Sequence, residues 1–118
     1  LSDDQPENGM VQFFTTSDQS LMELLQHIHP KSNFVKAFNS IGSETMVDPH
    51  FETKPSMFIC GDNEEAKIEA TSIIEQFGWE VEDMGSAQSA RVIEPLCILW
   101  CIPGFLRGEW SHAFKLLK

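Results

Sequence analysis

The sequence predicts an α/β layer: about three short, mainly parallel strands with flanking helices. Three observations carry that expectation. Two apolar runs, Phe34 to Phe38 and Ser56 to Gly61, are short and too densely apolar for half-exposed strands. A third run, Trp79 to Asp83, alternates apolar and acidic residues at strand period. Between and around them lie stretches with helical spacing, so the order reads helix, strand, strand, helix, strand, helix.

Residues 1 to 15 read as loop, opening on the polar, turn-rich run Ser2 to Gly9. Thr16 and Gln19 have capping-box spacing and predict a helix from about Ser17 to His29, with Leu21, Leu24, Leu25 and Ile28 on its apolar face. Pro30 stops it. The strand 34–38 ends at Asn39 and breaks into a Ser/Gly-rich turn, and Ile41 to Val47 have the length of one or two helical turns. Ligands in open α/β sheets sit at the carboxyl ends of parallel strands, so Asn39, Ser40, Gly42 and Ser43 are the first candidates for a binding site.

After the strand 56–61, Asp62 and Glu65 repeat the cap spacing, and a helix is expected from about Asn63 to Phe77. Ala66, Ala70, Ile73, Ile74 and Phe77 form its apolar stripe, with Glu64, Lys67, Glu69, Thr71 and Glu75 away from it. In the strand 79–83, Trp79 and Val81 point one way and Glu80 and Glu82 the other. Ser86 is placed to cap a long helix from about Ala87 to Ile102, kinked or broken at Pro95 and ended by Pro103-Gly104. Its second half, Leu96 to Ile102, is apolar all round and so is expected to be buried. Trp110 to Leu117 is read as a short final helix.

At 118 residues the chain is one domain. Its 42% hydrophobic content suits a packed core. Eight basic against 18 acidic residues give a formal net charge of −10, which argues against nucleic acid or an anionic membrane surface as partner. The longest apolar run, Pro95 to Ile102, falls short of the roughly 20 residues that span a bilayer. Cys60, Cys97 and Cys101 are odd in number and lie in apolar runs, so they read as reduced, buried thiols in a cytoplasmic protein. The four histidines are scattered without metal-ligand spacing, so no metal is expected. The chain opens on Leu1 without an initiator Met, as a processed domain or an internal piece of a longer protein would.

Most candidate residues have an ordinary alternative. Asn39 suits a strand-end turn as well as a polar ligand contact. Lys36 is either a phosphate contact or a snorkelling surface side chain. Arg91 and Glu94, at i and i+3, read as a helix-surface ion pair. Cys97 and Cys101 share a helix face and read as apolar thiols.

Residues 35 to 44, Val-Lys-Ala-Phe-Asn-Ser-Ile-Gly-Ser-Glu, resemble the Lys-Ala-Phe-Asn segment of the deazaflavin (coenzyme F-420):NADP oxidoreductase-like family. Residues 55 to 62 are similar to that family's next strand, and residues 79 to 100 to its closing strand and helix. STEAP-type metalloreductase domains carry similar segments. The resemblance implies the C-terminal half of a Rossmann-type NADP-dependent reductase, because no Gly-x-Gly-x-x-Gly fingerprint is present. It places Asn39 beside a nicotinamide, with Ser40 adjacent and Ser43 near the carboxamide. It implies NADP, bound only together with the fingerprint-bearing half, and a flavin or deazaflavin acceptor. Where STEAP-type domains have an aromatic residue near the flavin, this chain has Glu44. Hydride transfer also suits the lack of an acid–base pair, since the cofactor carries that chemistry. The alternative is a non-catalytic folding or association module, a homo-oligomer or dimer formed through Leu96 to Ile102.

Overall fold

The computed structural model describes residues 1–118. Helix α1 spans Leu21–Ile28, strand β1 Ser56–Ile59, helix α2 Glu64–Gln76, strand β2 Glu80–Asp83, helix α3 Ala90–Ile93 and helix α4 Leu96–Arg107. Strands β1 and β2 pair in parallel, with Ser56 opposite Glu80 and Ile59 opposite Asp83. Helix α2 makes the crossover between them, as a parallel pair requires.

The α/β class stands, with two laddered strands where three were expected. The segment 34–38 is not a parallel strand. It meets β1 through one antiparallel bridge, in which Lys36 N donates to Cys60 O at 2.9 Å and Cys60 N to Lys36 O at 3.3 Å. The ladder stops there because Phe38 takes a left-handed φ of 54° and its N–H points at Met57 Sδ, 3.1 Å away.

Two apolar clusters hold the layers. Met57, Ile59, Ile74 and Trp79 form one, between the strands and α2, with Val35 and Phe38 packed against it. Met22, Cys60, Ala87, Ala90 and Ile93 form the other, joining α1 and α3 on the opposite side of β1. Strand β1 thus has apolar packing on both faces, as its uninterrupted apolar run predicts.

Helix α1 starts four residues later than the Thr16 spacing suggests. Thr16 and Gln19 close a tight turn instead, and Ser20 with Glu23 forms a complete capping box. Asn63, not Asp62, caps α2, accepting from Ala66 N at 2.8 Å. Asp62 instead accepts from Ala87 N at 2.9 Å, the role expected of Ser86.

Lys67, expected on the solvent side of α2, is 5% exposed. Its stem lies over Gly61 and its ammonium bonds Asp83 and Glu64, both at 2.9 Å, which is how a buried lysine keeps its charge. Ile73, assigned to the buried stripe of α2, is half exposed. Glu82, expected on the open face of β2, is buried, with Lys118 Nζ of the C-terminal segment 2.9 Å from its Oε1.

The region 87–107 breaks at Pro95, as its sequence suggests. A 3₁₀ turn at Ala87–Ser89 leads into α3, and α4 follows the proline. Pro103-Gly104 does not end α4, which continues to Arg107 and stops at Gly108, φ +70°. Nor is α4 buried all round: Ile98 and Trp100 are buried, whereas Leu99 is 54% exposed. Taken as one stretch, Ala87–Arg107 is long and apolar enough to cross a membrane by length and composition, with a mean hydropathy of 1.4 over its best window, of which 28% is buried. The single-run reading missed this because Arg91 and Glu94 interrupt it.

Residues 110–117 form no helix. They run extended along the amino end of β1, where Ser56 N donates to Phe114 O at 2.9 Å and Leu116 N to Ser56 Oγ at 3.0 Å. The three cysteines are free; Cys60 is buried, and desolvation raises its pKa to about 11. Cys97 and Cys101 are half-buried rather than buried.

Candidate functional site

The α3–α4 break exposes backbone that the segment 36–39 then uses. Pro95 has no N–H, and Cys97 N bonds Glu94 O at 3.2 Å rather than Ile93 O, its helical partner four residues back. Asn39 reaches in with its side-chain amide and donates Nδ2 to both Ile93 O and Glu94 O, each at 2.8 Å. Its Oδ1 is left to accept.

The Glu94 carboxylate is the second anchor. It accepts from Leu21 N and Met22 N, both at 3.0 Å, in the first turn of α1, where a negative charge is favourable. Its Oε1 also meets Lys36 Nζ at 3.2 Å. Arg91, one turn earlier, holds Glu23 of α1 through Nε and Nη2 at 2.8–3.1 Å. These hydrogen bonds from Arg91 hold the Glu23 pKa down at about 2. Arg91 and Glu94 therefore do not form the expected ion pair with each other; each grips a different point of α1. The Lys36 ammonium is likewise committed to Glu94 rather than to solvent.

Beside this knot lies a cavity of about 190 Å³, with Lys36, Asn39 and Glu94 along one wall and Phe13, Phe14 and Cys97 among its other lining residues. Ser43 lines a separate cavity of about 570 Å³, with Glu44, Trp100 and Trp110. Ser40 is buried and lines neither. The three sequence-predicted residues thus sit within one short segment but face different spaces.

The antiparallel course of 34–38 also changes what the strand-end rule selects. The carboxyl end of that segment lies beside the amino end of β1. The carboxyl ends of the parallel pair open at Gly61–Asn63 and Gly85–Ala87, on a cavity of about 620 Å³ lined by Glu23, His27, Asn33, Asp62, Asn63 and Ala87 among others. No three His, Cys, Asp or Glu side chains converge as a metal would require. The linking roles of Lys36 and Glu94 were missed by reading each side chain against its own element. The proline directly after Glu94 is the one sequence signal of the helix break that Asn39 meets.

No family model matches the chain. It is 36% identical over 92 residues to metalloreductase STEAP3 of Rattus norvegicus, a match that covers 75% of this chain and 19% of that protein. Its structure is similar, at a TM-score of 0.80 and 29% identity, to the crystal structure of a protein from Arthrobacter sp. FB24 assigned as an F-420-dependent NADP-reductase. The chain resembles both reductase groups. The structural match covers 86% of this chain and 47% of the other, so the chain spans about half the length of that structure and about a fifth of the STEAP3 relative. The α/β layer is accordingly Rossmann-like, and the resemblance read from residues 35–44, 55–62 and 79–100 holds.

Proposed function

We propose that this chain is part of an NADP-dependent oxidoreductase and contributes one wall of the site where a nicotinamide meets a flavin or deazaflavin acceptor. The observation that carries the reading is the structural likeness over 86% of the chain to a protein assigned as an F-420-dependent NADP-reductase. The chemistry at residue 39 is compatible with it. The Asn39 amide nitrogen is held by α3, which fixes the side chain and leaves Oδ1 oriented as an acceptor, the group a nicotinamide carboxamide N–H₂ requires. Ser43 is exposed on the following turn and supplies a hydroxyl that donates or accepts; Ser40 is buried in the bend between them.

No Gly-x-Gly-x-x-Gly segment occurs in these 118 residues, so the pyrophosphate grip belongs to a second half outside this sequence. NADPH titrated calorimetrically against this chain is expected to bind weakly or not at all. A longer protein that joins this chain to a fingerprint-bearing half is expected to bind it tightly. Tight binding by the 118 residues alone would overturn this division of labour.

A second reading has its own observation. Val92, Leu99 and Leu106, spaced by seven along α3 and α4, are 70%, 54% and 55% exposed. Such a stripe suits a homodimer contact, whether or not the chain takes part in hydride transfer.

A further inference from the structure

The cavity beside Ser43 is walled by aromatic rings and a carboxylate. The Trp100 and Trp110 ring centroids are 5.7 Å apart and tilted by 46°, and Phe105 meets Trp110 edge-on at 5.3 Å. The Trp100 indole is fixed from behind. Trp100 Nε1 donates to His112 O at 2.9 Å, while His112 Nε2 lies 2.8 Å from Trp100 O, a reciprocal clasp between α4 and the C-terminal segment.

Two glycines make the close packing possible. A Cβ at Gly42 would come within 2.9 Å of the Trp100 ring, and one at Gly104 would overlap the Trp110 ring. Trp100 is 7% exposed and forms the floor, whereas Trp110 is 44% exposed and offers ring surface to the cavity.

Among the residues that line this cavity, Glu44 alone is charged. Glu44 is an exposed lining residue with no ion-pair partner, and none of the lining residues is Lys or Arg. A negative ring face and an unpaired carboxylate attract the same kind of ligand, a compact organic cation. At about 570 Å³ the cavity has room for one. We infer that the Trp100–Trp110–Glu44 cavity is a binding site for a small alkylammonium cation, held by cation–π contact with Trp110 and by the charge of Glu44. The site touches the nicotinamide reading only through Ser43, which lines the same cavity; its own contacts, Trp110 and Glu44, have no part in that reading.

The test compares choline with its uncharged isostere, 3,3-dimethylbutan-1-ol, on the ¹⁵N-labelled chain. The three indole N–H signals report separately, because Trp79 lies in the apolar core, bonded to Met46 O at 2.8 Å, and serves as an internal reference for the fold. Choline is expected to move the Trp110 and Trp100 signals along a saturating curve and to leave Trp79 in place. The neutral isostere is expected to need about tenfold more ligand, and Glu44→Gln to weaken choline by several-fold at low salt, as an exposed charge contact predicts. Trp110→Leu is expected to abolish the response. Equal responses to choline and the isostere, a linear non-saturating shift, or an unchanged choline affinity in Glu44→Gln with the Trp79 signal intact would each overturn the proposal.

Discussion

Asn39 is the residue through which the segment 36–39 and the helical break depend on each other. Its two 2.8 Å hydrogen bonds go to carbonyls at the α3–α4 break, Ile93 O, which Cys97 N leaves free, and Glu94 O, which it shares with Cys97 N. Asn39→Leu removes both donors at a partly buried site, and about 1–3 kcal/mol of stability is expected to go with them, read as a lower urea midpoint. An unchanged midpoint would mean that water replaces the amide without cost and that Asn39 is free for a purely ligand-binding role. Glu23 provides a pH-dependent counterpart. Its carboxyl is held at about 2 by Arg91, against an ordinary value of 4.5. A depressed folded-state pKa contributes stability that is fully present above the unfolded value and is lost as pH falls through the folded one. Unfolding midpoints are therefore expected to drop as pH falls from about 4.5 towards about 2. Glu23→Gln, which already lacks that contribution, is expected to lose less over the same window. Parallel slopes for the two proteins would show that Arg91 does not hold this carboxylate in solution.

At the scale of elements, local rules succeed where one residue decides and fail where two elements compete. Pro95 breaks the helix because its missing N–H and its ring act on the adjacent backbone, whatever lies around it. Pro103 has the same chemistry yet does not end α4. The turn it disturbs carries Leu99 on an exposed face, and the following residues are fixed by Trp110 packing on Gly104. The true end is Gly108, whose φ of +70° is left-handed and whose ideal Cβ meets nothing. Gly108→Ala therefore isolates the backbone cost: a loss of about 1 kcal/mol is expected, measured as a lower Tm with unchanged helical content. Helix α1 shows competition of the other kind. Thr16 and Ser20 both begin a capping pattern, and the choice falls to Ser20 because Glu94, 73 residues along the chain from Leu21, caps the same turn from outside.

For the whole molecule, two opposing surface properties meet. A formal net charge of −10 resists association, while the stripe of Val92, Leu99 and Leu106 favours it. Sedimentation at rising salt is expected to show self-association increasing as the repulsion is screened, and Leu99→Glu is expected to return the chain to monomer without unfolding it. A monomer under all these conditions would remove the homodimer reading and leave the stripe to another surface.

The sequence by itself determined the α/β class, the strands within 56–61 and 79–83, the helix between them, the break at Pro95 and the resemblance to NADP-dependent reductases. Each rests on periodicity, a single proline or a contiguous run of residues, which are properties of the chain alone. Only the tertiary structure decided the direction of 34–38, the burial of Lys67 and Glu82, and the partners of Asn39, Arg91 and Glu94. Those depend on which distant groups arrive with matching charge or an open hydrogen bond: Asp83 for Lys67, Lys118 for Glu82, the first turn of α1 for Glu94. Spacing along the chain carries no information about such encounters, because they are fixed by packing the layers together.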